Sequence, residues 1–368
     1  MRGTWASIVY TQYGNLPLLQ VVSVTGLWGI TFLIAWFAST CNWLWDAGVN
    51  CKPAVQGMGI CLGTIGAAML LGGARMALFP AKSPTVRIAS ISKRDVKLEL
   101  SDEIVARLLA GKPTTEDLTA IREWSGPTDD DLLIRAEREL QAGAKIVFWG
   151  EGNATVLKAD ESALIARGAS LAAHYQAYVG MALTVLRTSG SPSVENKLVL
   201  LQPDGQVAWE YNKARPVPGP EAAMQVRGDG RLRALDTPYG RLTAIICFDG
   251  DFPDLLAQAG ASRADLVLDP SNDWRAIDPW HTQMASFRAI EQGTNLVRQT
   301  SRGLSGAFDY HGRQLSAMDH YQTSDYAMVS DVPTKGVRTL YSRLGDWFGW
   351  LCMAGFACLL VTALRSRK

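Results

Sequence analysis

This sequence lacks an excess of either charge. Its 36 lysines and arginines balance 35 aspartates and glutamates, and a net charge of +1 offers no electrostatic case for nucleic acid as a partner. Neither GxGxxG nor GxxxxGK occurs, so no glycine-rich loop cradles phosphates and nucleotide chemistry loses its usual signature. The four histidines are scattered and no CxxC pair exists, which leaves no spacing of the zinc type; neither a metal nor another cofactor is expected. No internal repeat and no low-complexity tract interrupts the chain.

Charge of either sign is missing locally, and those gaps are informative. Leu16 to Thr40, Ala54 to Ala74 and Trp347 to Leu364 carry none, and each is long enough, the last only just, to cross a bilayer. A buried core helix is the alternative for each. A cleaved signal peptide is a further alternative for the first, but it lacks a small-residue cleavage pattern and a second apolar stretch follows it. Trp347 at one end of the third stretch and "RSRK" at the other read as an interface anchor and a positive-inside flank, and Trp5, Trp43 and Trp45 read as interface markers too. The expected organisation is a membrane anchor over residues 1–80 with two transmembrane helices (about 16–40 and 54–74). A catalytic domain over 81–343 and a C-terminal transmembrane helix with a basic tail over 344–368 follow. With "RSRK" on the cytoplasmic side of a bacterial inner membrane, three crossings put the large domain on the periplasmic face. Arg75, just after the second stretch, argues the other way.

Cysteine is scarce where it matters. Of six cysteines, Cys41 and Cys51 flank the loop between the first two apolar stretches, Cys61, Cys352 and Cys358 lie inside such stretches, and only Cys247 belongs to the large domain. It sits in "RLTAIICFDGDFPDLLAQAGA", where an apolar strand from Leu242 ends and a helical pattern starts on Phe252-Pro253-Asp254. A strand-to-helix turn exposes its side chain at the sheet edge, beside N–H groups that stabilise a thiolate or an oxyanion. The other reading is a buried structural cysteine. An unpaired cysteine in an oxidising compartment is harder to explain structurally.

Around Cys247 the pattern alternates. "TVRIASIS" from Thr85 reads as a strand, Asp102 to Ala110 and Thr115 to Trp124 as short helices, and "TDDDLLIRAERELQAGA" from Thr128 as a capped amphipathic helix running into the strand "KIVFWGE". A helix from about Glu161 to Ala177, a strand, and a hairpin turning on Pro203-Asp204-Gly205 come next. Strand and helix alternate again to a helix from Pro279 to Glu291 and three closing strands. The class is α/β, and the hairpins make the sheets mixed.

Glu151 ends "KIVFWGE", Lys213 follows "QVAWEYN" and Cys247 ends "LTAIIC", so three chemically useful groups stand at three strand ends, which converge on one rim in α/β sheets. A carboxylate takes a thiol proton, and a lysine holds an oxyanion. Taken singly, Glu151 and Lys213 read as surface charges at loop starts. Asn272, Asp273 and Trp274 follow another strand end near that rim, as pocket residues or as turn formers. Arg288 and Glu291, three apart on a helix, read as a structural ion pair.

The order Glu, Lys, Cys inside "VFWGE", "YNKARPVPGPE" and "IICFDGDFPD" resembles the nitrilase superfamily of carbon–nitrogen hydrolases, and most closely its membrane branch, the apolipoprotein N-acyltransferases. The opening "TWASIVYTQYGNLPLLQVVSVTGLWGITFLIAW" is similar to that branch's later membrane helices, and the segment from Ser271 to Arg313 to the part downstream of its cysteine. The resemblance implies a nitrilase-like four-layer α-β-β-α sandwich with transmembrane helices at both ends. It implies Cys247 as nucleophile, Glu151 as general base, Lys213 and the Phe248 N–H at the oxyanion, and Glu221 as the acid that positions the lysine. It further implies a phospholipid acyl donor, a Cys247 thioester, and a lipoprotein's N-terminal amine as acceptor. A membrane-tethered amidase-like hydrolase and a silent lipoprotein-binding relative are the alternatives.

Three departures from the family pattern stand out. Trp149-Gly150-Glu151 replaces Trp-Pro-Glu, which removes the stiffness of proline from the loop of the base. Phe248-Asp249 replaces Tyr-Glu, which is expected to take a hydroxyl and a methylene out of the pocket. The match begins within the family's membrane region, about four helices in, so a partner chain is one expected source of the rest.

Overall fold

The computed structural model describes residues 3–94, 100–190 and 192–366, so Arg367 and Lys368 of the basic tail lie outside the described residues. A turn of 3-10 helix (Ile8–Gln12) and two short helical turns, α1 (Leu16–Leu19) and α2 (Val22–Thr25), precede the long α3 (Leu27–Ala47) and α4 (Lys52–Leu78). The first long helix therefore starts at Leu27 and not at Leu16. The break falls on Gly26, whose φ of 64° suits glycine and where a Cβ would stand 2.3 Å from the Tyr341 ring. Leu18, Leu19 and Val22, ahead of the break, join Val9, Leu27 and Ile30 in a buried cluster with Met284, Phe287 and Ile290. Apolar residues that resembled half of a membrane crossing instead cover a helix of the large domain.

The large domain runs through β1 (Thr85–Ile91), α5 (Asp102–Leu109), α6 (Thr115–Gln141), β2 (Ile146–Trp149), β3 (Ala154–Leu157), α7 (Glu161–Tyr175), β4 (Tyr178–Leu186), β5 (Val194–Leu201) and β6 (Val207–Asn212). It continues with α8 (Pro220–Met224), β7 (Ala234–Thr237), β8 (Gly240–Ala244), a 3-10 turn (Cys247–Asp251), α9 (Pro253–Ala261), β9 (Leu266–Asn272) and α10 (Trp280–Gln292). Strands β10 (Asn295–Ser301), β11 (Leu304–Phe308), β12 (Gln314–Asp319) and β13 (Ala327–Pro333) lead to α11 (Tyr341–Leu344) and α12 (Trp347–Arg365).

Helix α6 unites what the sequence reading had as two helices. Its cap is Thr114, whose hydroxyl accepts the Asp117 N–H while the Asp117 carboxylate accepts the Thr114 N–H. Pro127 inside it forfeits a backbone hydrogen bond, but Ile121 on one side and Leu132, Leu133, Ala136 and Leu140 on the other are all buried and hold both halves against the domain.

Two mixed sheets result, one ordered β13-β1-β2-β4-β5-β6 with β3 also paired to β4, the other β12-β11-β10-β9-β8-β7. They enclose a common apolar core and are pinned together by Ser90 Oγ donating to Gln299 Oε1 at 2.7 Å and by the Ser92 and Ser301 hydroxyls at 2.9 Å. Helices α6 and α7 lie on the first sheet, α9 and α10 flank the second, and the α-β-β-α sandwich is complete. Helices α3, α4 and α12 are each long and apolar enough to cross a membrane.

Candidate active site

Glu151, Lys213 and Cys247 stand just past the ends of β2, β6 and β8, two from one sheet and one from the other, and all three line one cavity of about 600 Å³. Cys247 has a φ of 51°, a left-handed conformation that costs a non-glycine residue of order 1–3 kcal/mol. Buried hydrogen bonds hold it there. Asp269 Oδ1 accepts the Cys247 N–H at 2.9 Å and the Ser271 hydroxyl at 3.0 Å, while Arg298 Nη1 donates to Asp269 Oδ2 at 2.7 Å. Sγ lies 3.9 Å from the Asn272 carbonyl oxygen. Burial and the Glu151 charge push the thiol well above its usual range, against the pull of Lys213 and Arg298. The resting group is thus a thiol, and its chemistry needs a base.

Glu151 is a carboxylate in the same cavity. Its Oε1 accepts Lys213 Nζ at 2.7 Å and Asn196 Nδ2 at 2.6 Å, which leaves Oε2 for a proton. Lys213 Nζ also donates to Glu221 Oε1 at 2.6 Å. Burial pushes the Lys213 amine down, but the charges of Glu151 and Glu221 outweigh it and keep an ammonium here. For Glu221, burial and Glu151 raise the carboxyl further than Lys213 lowers it.

The glycine ahead of Glu151 does not loosen the loop. Gly150 N–H donates to the Ile91 carbonyl at 2.9 Å and Asn153 Nδ2 donates to the Glu151 carbonyl at 2.9 Å. A Cβ at Gly150 would stand 2.8 Å from Asn153 Nδ2. Gly150→Pro, which writes in the family's usual residue, removes that N–H and crowds Asn153. It is expected to cost about 1–3 kcal/mol and to lower activity. Thermal unfolding of the variant beside the wild type checks this, and a higher midpoint would contradict it.

Phe248, Asn272, Asp273 and Trp274 line the cavity with the three central residues and Glu221. Asp249 does not. Its carboxylate is turned into the protein, accepting the Tyr211 hydroxyl at 2.7 Å and the N–H groups of Arg215 at 2.8 Å and Ile246 at 3.1 Å, and burial pushes it up to about 6. The shorter acid at this position therefore alters the brace beneath Cys247 and leaves the pocket wall untouched. Trp5, expected only as an interface marker, also lines the cavity and meets His281 edge to face, with ring centroids 5.8 Å apart. Thr4 N–H donates to the Asp251 carbonyl at 2.9 Å, so the segment leading to α3 closes one side of the site. Arg288 and Glu291 form the expected ion pair at 2.9 Å, fully buried.

Sequence reasoning missed a charged network beside the thiol. Arg298 Nη2 donates to Asp273 Oδ1 at 2.9 Å, and His281 faces Asp273 through Nδ1 at 2.7 Å and Asp251 through Nε2 at 3.2 Å. Burial and Arg298 push His281 down, but the two aspartates prevail and bring it up to about 9. Burial raises Asp273, but Arg298 and His281 bring it down to about 2. An arginine in the middle of the apolar strand "TNLVRQTS" was the available signal, because such a residue is buried only with acidic partners. Ligand atoms of Cys247, Asp273 and His281 lie within 4.8 Å of one another. The donor set does not suit a cation, since Asp273 Oδ1 already receives both Arg298 and His281.

The sequence profile of the carbon-nitrogen hydrolase family matches residues 120–329. The chain belongs to that family. Among curated relatives, carbon-nitrogen hydrolase family members named apolipoprotein N-acyltransferase align over nearly the whole chain. The one from Geobacter metallireducens is 26% identical over 99% of this chain and 70% of its own length. Apolipoprotein N-acyltransferase 2 of Treponema pallidum is 27% identical over 95% of this chain and 69% of its own. Solved structures share the fold. An amidase from Nesterenkonia sp. superposes with a TM-score of 0.53 at 19% identity, covering 69% of this chain and 92% of that one. A carbon-nitrogen hydrolase from Helicobacter pylori G27 gives 0.54 at 14%, covering 68% and 90%.

Proposed function

We propose that the protein is a membrane-anchored thiol acyltransferase that moves a fatty acyl chain from a phospholipid, through a thioester on Cys247, to the N-terminal amine of a lipoprotein. One observation carries the reading: the cavity that holds Cys247, Glu151 and Lys213 is walled on one side by Trp5, on the segment that runs directly into the apolar helices. A thiol placed at the foot of membrane helices meets substrates that live in the bilayer. The names of the curated relatives support the same activity.

In this reading Glu151 takes the Cys247 proton as sulfur attacks the ester carbonyl of the lipid. Lys213 and the Phe248 N–H hold the oxyanion, and Glu151 returns the proton to the departing lysophospholipid oxygen. The acceptor amine then attacks the thioester carbonyl, Glu151 accepts the amine proton, and the sulfur leaves to be reprotonated. Glu221 keeps Lys213 in place. Lys52 and Arg365 at the helix ends away from the domain agree with a cytoplasmic side there and a periplasmic domain in the inner membrane.

The test incubates the purified full chain with phosphatidylethanolamine and a peptide bearing a diacylglyceryl cysteine. The expected product is the peptide with one added acyl chain on its amine. Turnover of small amides with no peptide acylation would instead select the hydrolase.

A further inference from the structure

A second cavity, of about 520 Å³, opens where α4 leaves its apolar stretch and shares no lining residue with the cavity of the thiol. Three cationic side chains line it: Arg75 on α4, Lys82 just beyond it, and Arg338 before α11. Among the described residues, none of the three has a carboxylate within 4.0 Å. Asp309 offsets Arg75 in part, but its Oδ1 is occupied by the N–H groups of His311 at 2.8 Å and Arg313 at 3.0 Å. The negative end of α4 does not neutralise them either. It amounts to about half a charge, and it is already met by Arg313 Nη2 on the Met76 carbonyl at 3.3 Å and by His311 Nε2, 2.8 Å from the Phe79 carbonyl.

Beside these cations the wall is apolar and open. Leu78 is 71% exposed and Phe79 69% exposed, and both line the cavity. Arg75 donates to the neutral Gln20 Oε1, so all three keep their charge without an acidic partner. Such cations next to exposed apolar side chains, at the end of a helix long enough to span a bilayer, match the boundary where lipid phosphate meets acyl chain. We infer that this cavity binds the phosphate of a membrane phospholipid, with the phosphate held by Arg75, Lys82 and Arg338 and the glycerol end of the chains lying along Leu78 and Phe79. The inference depends on α4 crossing the bilayer and is independent of the chemistry proposed for Cys247. A lipid held there fixes the height of the domain above the leaflet.

The experiment is native mass spectrometry of the full chain in detergent, titrated with phosphatidylglycerol. One retained lipid is expected. Diacylglycerol with the same chains, which has no phosphate, should not be retained; this comparison needs no variant. Lys82→Ser with Arg338→Ser, two exposed positions, should weaken that lipid roughly thirtyfold. Millimolar inorganic phosphate should not displace it. Equal retention of diacylglycerol, or unchanged binding by the double variant, would overturn the site. Displacement by inorganic phosphate would assign the cavity to soluble phosphate and overturn the lipid.

Discussion

Glu151→Gln is expected to slow the alkylation of Cys247 by iodoacetamide at pH 7 by about a hundredfold or more, the usual contribution of a positioned base. The argument starts from burial. Cys247 is 3% exposed, its thiol is raised well above the ordinary range, and Lys213 and Arg298 do not pull it back far enough to ionise it. A thiol in that state reacts only when a neighbour accepts its proton, and of the two carboxylates that share its cavity and bond Lys213, it is Glu151 whose charge bears on the thiol. Glutamine keeps the shape and can still accept the Asn196 and Lys213 bonds through its carbonyl oxygen, so the fold should survive. Rates measured by intact mass against time, for the wild type and the variant, decide it. Equal rates would remove Glu151 from the role of base.

Arg298→Met is expected to lower stability by about 3–5 kcal/mol, on the order of 10 °C in thermal midpoint, and to slow Cys247 as well. Arg298 is fully buried, at 2.7 Å from Asp269 and 2.9 Å from Asp273. Methionine fills most of the volume but leaves two buried carboxylates with only His281 to balance them. The second effect follows from geometry. Asp269 holds the Cys247 N–H at a positive φ, and once its own partner is gone that grip on the nucleophile's backbone loosens. Arg298→Lys keeps a charge but loses the two-pronged geometry, and should fall between. A Met variant that melts with the wild type and alkylates at the same rate would show that the network is a passenger.

These two predictions draw on different depths of legibility. Cys247, Glu151 and Lys213 were readable because each ends a strand, where the pattern of apolar residues stops abruptly and side chains reach the sheet edge. The sandwich was readable through its hairpins and alternation, with the resemblance supplying the four layers. The supporting acids and bases were not. Asp269, His281 and Arg298 sit within strands and a helix whose neighbours are apolar, and only the pairing of β9 with β10 brings Asp269 opposite Arg298. Asp249 was misplaced because sequence adjacency to a nucleophile does not say which way a turn points the next two side chains. The first apolar stretch misled for a related reason: hydrophobicity records that Leu18, Leu19 and Val22 avoid water, and both lipid and the face of α10 satisfy that.

The central claim is that Cys247 accepts an acyl chain, and intact-protein mass spectrometry tests it most directly. The purified full chain is incubated with phosphatidylethanolamine beside a Cys247→Ser control and weighed before and after hydroxylamine. The account predicts an added fatty-acyl mass on the wild type, absent from the control and released by hydroxylamine. A reduced, alkylatable Cys247 that gains no mass would contradict it.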